Sequence, residues 1–190
     1  MSGEIINRRM NHSSPIKLII IEFFQHITTF VLDVDGVLTD GNLWLMPGGA
    51  QVRKMNIRDG YALQLAIKKG YRVVIISGAV SEEVVLRLQS LGVTDIRMGV
   101  KDKAAVLHAY MKEHALPANA VLYMGDDIPD LLVQQLAGVA CCPADAVPEI
   151  RDQSKYISPY RGGEGCVRDV IEKVLTLRGD WSEDVTIAAK

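Results

Sequence analysis

Several things are scarce in this chain of 190 residues. There is no surplus of basic charge: 21 lysines and arginines face 23 aspartates and glutamates, for a net charge of −2. With a pI near 6.1 the chain carries no basic footprint for nucleic acid. Cysteine occurs only three times, at Cys141, Cys142 and Cys166, an odd count with two adjacent. That pattern fits neither a disulfide framework nor a zinc site, and points to a reducing cytoplasm. No long apolar run is present. The stretch 16–24 is interrupted by Lys17 and Glu22 and followed by Gln25 and His26, so it falls short of the ~20 apolar residues a membrane span needs. No small-residue cleavage site follows Arg8 and Arg9, so the expectation is a loose tail leading into a short amphipathic element, together 1–26, with no membrane partner. Nucleotide signatures are missing too. Gly36 and Gly41 have P-loop spacing, but Asn42-Leu43 stands where Lys-Ser/Thr is required, and there is no Gly-x-Gly-x-x-Gly. His12, His26, His108 and His114 have no metal-ligand spacing.

What the chain does have is alternation. Apolar, β-branched runs at 27–32, 71–76, 120–124 and 138–141, with a shorter one at 95–98, are separated by helical patterns from Asp59 to Gly70, Ser81 to Gly92, Asp102 to about His114, Asp130 to Leu136, and 164–177. Strands alternating with helices predict an α/β fold with a doubly wound, Rossmann-like parallel sheet. One departure stands out: 42–55 reads as a β-hairpin around Pro47-Gly48-Gly49, inserted directly after the first strand. No internal repeat or second-domain linker is visible, so one domain at 27–178 is expected, with a C-terminal tail at 179–190.

Four polar clusters follow these runs in order: Asp33-Val34-Asp35-Gly36, Ser77-Gly78, Lys103, and Gly125-Asp126-Asp127-Ile128-Pro129-Asp130. Side chains just past the ends of parallel strands converge on one crevice. Asp33 and Asp35, two apart on an extended segment, project together and repel unless a cation or proton lies between them, although a bare Asp-x-Asp also serves as a turn or cap. Asp126 ends a second strand, and two acidic strand ends make an oxygen site suited to Mg²⁺; Asp127 and Asp130 also suit helix capping. Ser77 beside Gly78 can donate to phosphoryl oxygens or cap a helix, with Ser81 the better cap. Lys103 opens a helix, the end at which a lysine is out of place. Arg161-Gly162-Gly163-Glu164-Gly165 reads either as a turn capping the last helix or as a loop delivering Arg161 to an anion.

In this order, Asp-x-Asp-Gly-Val, Ser-Gly, Lys and Gly-Asp-Asp-x-x-Asp resemble the haloacid dehalogenase superfamily of phosphatases, from about residue 27 to 177, with the hairpin in place of a cap domain as in the smallest-cap subclass. Residues 56–61 and 161–168 are similar to members acting on a phosphorylated eight-carbon 3-deoxy sugar acid. The resemblance implies Asp33 as nucleophile, forming an aspartyl-phosphate, and Asp35 as general acid/base. It implies Mg²⁺ held by Asp33, the Asp35 carbonyl and Asp126, with Asp127 or Asp130 supporting the metal shell, and Ser77, Gly78 and Lys103 on the phosphoryl group. It also implies a cytoplasmic homotetramer whose hairpins associate, serving lipopolysaccharide precursor synthesis. A substrate carboxylate requires a cationic contact, for which Arg58, Arg161 and Arg87 are candidates. After Ser77-Gly78 the eight-carbon enzymes often carry arginine and their nine-carbon relatives glutamate. Ala79 decides for neither, and 56–60 favours eight carbons. The rival of another class is a receiver-type phosphoacceptor module, in which the modified aspartate follows a middle strand.

Overall fold

The computed structural model describes residues 22–187, so the tail at 1–15 and most of the amphipathic element at 16–26 lie outside the described residues. A six-stranded, all-parallel sheet is built from β1 (Thr29–Leu32), β4 (Arg72–Ile76), β5 (Asp95–Arg97), β6 (Val121–Met124), β7 (Val139–Cys142) and β8 (Tyr156–Ile157), in the order β5-β4-β1-β6-β7-β8. The connections are α1 (Ile57–Lys68), α2 (Glu82–Ser90), α3 (Lys103–Glu113), α4 (Leu131–Gln134) and α5 (Pro148–Gln153), and α6 (Cys166–Leu177) follows the last strand. The inserted hairpin is β2 (Trp44–Leu45) paired antiparallel with β3 (Gln51–Val52). With the hairpin left out, the strands run 3-2-1-4-5-6, the doubly wound Rossmann order; receiver-type modules follow 2-1-3-4-5, which removes that alternative.

β1, β4 and β6 are apolar at nearly every position because helices cover both faces of the sheet. Phe30, Leu32, Val73, Ile75, Leu122 and Met124 face one core with α1 and α6, while Val31, Val74, Ile76, Val121 and Tyr123 face a second core with α3. The strand order, not the chain direction, reverses between β1 and β6, and there the carboxyl ends of the parallel strands open a crevice.

Several boundaries differ from expectation. α1 is capped by Asn56, whose side chain accepts from Arg58 N, and Asp59 lies inside the helix. Both residues are cap formers, and Asn56 is the one with extended φ/ψ. The helix expected from Asp130 is a 3-10 turn, Ile128–Asp130, running into the short α4, and the last helix begins at Cys166 after a left-handed Gly165. α5 and β8 were not foreseen; each is six residues or fewer, too short for periodicity to register. The C-terminal segment is docked. Trp181 meets Tyr61 edge-on at 6.2 Å, and Lys68 pairs with Asp184 at 2.6 Å. No helix among the described residues is long and apolar enough to cross a membrane.

Candidate active site

In the sheet register Leu32 is level with Ile75 and with Met124, so Asp33, Ser77 and Asp126 all emerge at the same edge, past the ends of β1, β4 and β6. Asp33 is buried. Its Oδ1 accepts from Val34 N at 2.6 Å and its Oδ2 from Lys103 Nζ at 2.5 Å. Lys103, at the first position of α3, reaches inward and also donates to Asp130 Oδ1 at 2.7 Å. A solvated lysine is thereby excluded: the ammonium is enclosed by two carboxylates. Burial alone would lower its pKa, but Asp33 and Asp130 more than offset this and hold it above the usual lysine value.

Oxygens of Asp33, Asp126 and Asp130 all lie within 4.8 Å of one another. Burial, then its neighbours Asp33 and Asp130, pushes the Asp126 carboxyl up to about 7. Burial and Asp130 likewise raise Asp33. A carboxylate cluster that resists full ionisation in this way could hold a cation, which would relieve the repulsion. Within it Asp130 is already occupied: Tyr123 Oη donates to Oδ1 at 2.6 Å, and the amides of Asp126 and Asp127 donate to Oδ2. Asp130 is therefore a buttress, and Asp33 and Asp126 are the pair with capacity for an ion. Asp127 is exposed and caps the 3-10 turn, accepting from Ile128 N at 2.8 Å.

Glycines make the close approach possible. A Cβ on Gly36, at φ +77°, would lie 1.9 Å from Asp126 Oδ2, and one on Gly162 would lie 2.0 Å from the Gly36 carbonyl oxygen. The 161–165 loop thus forms a wall of the crevice against 36–40, further tied by Gly163 N donating to Val37 O. Its Arg161 is exposed beside that contact. Ser77 is buried at the end of β4, its Oγ accepting from Ala79 N, while Ser81 caps α2. Gly78 follows where the backbone comes near Val100 O. Arg58 is exposed and lines a cavity of about 540 Å³ with Lys54, Asn56 and Gly163; Asp33, Asp126 and Asp130 are not part of its lining. Arg87 runs between α2 and α1, its guanidinium 3.0 Å from where a Gly60 Cβ would sit.

Two participants escaped sequence reasoning. Arg53, just past β3, pairs with both oxygens of Asp35, Nε to Oδ1 at 2.7 Å and Nη2 to Oδ2 at 3.1 Å. Tyr123 looked like one more apolar strand residue.

An all-parallel sheet whose switch point carries an Asp-x-Asp edge, a buried lysine and a second acidic edge, with a hairpin after the first strand, defines a hydrolase of the haloacid dehalogenase superfamily. No family model matches the chain. It is 31 % identical over 169 residues to 3-deoxy-D-manno-octulosonate 8-phosphate phosphatase KdsC of Escherichia coli K12, covering 89 % of this chain and 90 % of that one. The crystal structure of the Moraxella catarrhalis 3-deoxy-D-manno-octulosonate 8-phosphate phosphatase, in complex with magnesium, phosphate and KDO, superposes with a TM-score of 0.82 at 32 % identity, over 85 % of this chain and 92 % of that one. The Yersinia pestis enzyme of the same name gives 0.83 at 30 % identity, over 85 % and 88 %. The chain belongs to the 3-deoxy-D-manno-octulosonate 8-phosphate phosphatase family.

Proposed function

We propose that this protein hydrolyses the phosphomonoester of 3-deoxy-D-manno-octulosonate 8-phosphate, through an aspartyl-phosphate on Asp33. The observation that carries the reading is the buried contact of Lys103 with Asp33 beside Asp126, at the carboxyl edge of a sheet shared with relatives of that activity. A carboxylate attacking a phosphate dianion must be given positive charge and alignment. Lys103 supplies one charge from a fixed position, and Val34 N–H holds the Asp33 carboxylate in place. Asp33 forms the new O–P bond as the sugar O–P bond breaks, and Asp35 gives its proton to the departing sugar oxygen. Water then attacks phosphorus, Asp35 takes the proton back, and the Asp33 O–P bond breaks. Ser77 and the Gly78 amide hold phosphoryl oxygens during both displacements. Asp33, the Asp35 carbonyl and Asp126 would hold a magnesium ion, which would supply charge neutralisation for the transferring phosphoryl group.

The sugar-acid carboxylate meets Arg58 and Lys54 in the cavity they line, or Arg161 on the glycine loop. Residues 27–178 constitute the catalytic domain. The protein works in the cytoplasm as a homotetramer, in lipopolysaccharide precursor synthesis. Support for the assembly comes from the hairpin, where Trp44 and Leu45 are 69 % and 77 % exposed, an apolar tip that association would cover. The test is phosphate release from the eight-carbon and nine-carbon sugar-acid phosphates, with and without Mg²⁺. A higher kcat/KM for the eight-carbon acid is expected. No release from either overturns the reading.

A further inference from the structure

The hairpin does more than expose an apolar tip. Its returning segment is fastened to the Asp33–Asp40 loop at three consecutive residues. Arg53 pairs with Asp35, Lys54 pairs with Asp40 at 2.9 Å, and Met55 forms an isolated antiparallel bridge with Thr39. The first of these attachments differs from an ordinary surface ion pair. The Arg53 side chain is only 5 % exposed while that of Asp35 is 35 % exposed, so the guanidinium is enclosed and the carboxylate is partly open to solvent. Both carboxylate oxygens are taken by one planar fork, and Thr39 Oγ1 adds a longer contact to Oδ1 at 3.3 Å. Rotating the Asp35 carboxylate therefore breaks two charge-assisted hydrogen bonds together. Asp33 has its own restraints in Val34 N and Lys103, neither of which reaches Asp35.

Resting on the phosphatase reading, we propose that Arg53 is a positioning residue of the reaction: the hairpin carries a buried guanidinium whose two-point pair with Asp35 sets the orientation in which that carboxylate, ionised once its proton has left with the sugar oxygen, takes the proton of the incoming water. The hairpin thereby becomes part of the catalytic apparatus as well as a contact surface. Arginine is the side chain for this, because an ammonium presents a point charge and cannot hold a carboxylate plane. Glu83, in the first turn of α2, adds a smaller electrostatic contribution that favours the charged guanidinium.

The experiment compares wild type, Arg53→Lys and Arg53→Met on octulosonate 8-phosphate with Mg²⁺. Misplacing a catalytic group costs on the order of 100-fold in rate, so kcat should fall about 30- to 100-fold in Arg53→Met with KM changed less than about threefold. Arg53→Lys should recover only part of the loss, and added guanidinium ion should raise kcat of Arg53→Met. Amide hydrogen exchange over 51–55 supplies a readout independent of turnover: Arg53→Met and Asp35→Asn should speed exchange to a similar degree, and the double variant no further. A kcat for Arg53→Met within twofold of wild type, a loss confined to KM, full recovery by lysine, or unchanged exchange in both single variants would overturn the proposal. Absence of turnover in wild type instead strikes the phosphatase reading, and the exchange data then decide whether the pair holds the hairpin.

Discussion

Tyr123 donates its phenolic hydrogen to Asp130 Oδ1 across 2.6 Å, and that same oxygen takes Lys103 Nζ at 2.7 Å. A fully buried strand residue therefore fixes the carboxylate that fixes the lysine. Tyr123→Phe keeps the ring and removes one hydrogen bond. The expected result is a loss of about 1–2 kcal/mol of stability in denaturant melts, and a several-fold drop in phosphatase kcat as Lys103 gains freedom. Unchanged kcat together with unchanged stability would show that Asp130 needs no support from the phenol.

Asp33→Asn removes the attacking oxygen's charge while keeping its shape. Phosphate release should fall by at least about three orders of magnitude, with far-UV circular dichroism unaltered, because no other described carboxylate has both its contact with Lys103 and its place at the end of β1. Comparable turnover in the variant would remove Asp33 from the role of nucleophile.

Asp126, held up to about 7 by burial and by Asp33 and Asp130, is about half protonated at neutral pH and more so below it. Magnesium and protons then compete for the site. Affinity measured by calorimetry should be lower at pH 6 than at pH 8, falling by up to about tenfold per pH unit below the carboxyl's pKa, and Asp126→Asn should bind weakly at both. Chelation of the metal should lower the melting temperature of wild type more than that of Asp126→Asn.

Asp59 gives a pH dependence of different origin. It is buried in α1, its Oδ1 accepts from Arg168 N at 2.7 Å, and its Oδ2 has no hydrogen-bond partner. Burial raises it to about 6 from 3.8. The folded chain then binds more protons than the unfolded one between those values, so stability declines as pH rises through about 4 to 6 and the full cost is present at pH 7. The shift corresponds to roughly 3 kcal/mol. Asp59→Asn retains an acceptor for Arg168 N and should melt higher than wild type at pH 7.5, but not at pH 4. A lower melting point at pH 7.5 would mean that the charge at the start of α6 outweighs its burial.

The facing glycines make a stability contrast. Gly162→Ala would drive a methyl group into the Gly36 carbonyl at 2.0 Å, whereas Gly48→Ala meets nothing within 4 Å and bears only the strain of φ +83°. The first should cost several kcal/mol and abolish turnover; the second should cost about 1–2 kcal/mol and leave kcat intact. Thermal melts and kinetics on the two proteins check both halves.

The centre of the sheet was legible because β1, β4 and β6 are largely apolar runs each followed by a polar cluster, and the order of those clusters reports the crevice. Lys103 was legible for a similar reason, as a charge at the wrong end of a helix. Arg53 was not, since in a hairpin strand a charged residue reads as solvated, and no spacing rule links it to Asp35 eighteen positions earlier. Tyr123 was hidden by its neighbours in an apolar strand: its hydroxyl acts beyond the strand, at Asp130. The start of α1 was misplaced because two good caps stand three residues apart, and only the fold reveals that Asp59 serves α6 instead.

The strand that bears Asp33 sits at the middle of the sheet, yet both of its neighbours come later in the chain, β4 at Arg72–Ile76 and β6 at Val121–Met124. During synthesis β1 must therefore wait with the backbone donors and acceptors of one edge unpaired until more than half of the protein has left the ribosome. That interval is when the nascent chain is most vulnerable to aggregation, and it makes the yield of folded enzyme sensitive to translation speed and chaperone supply.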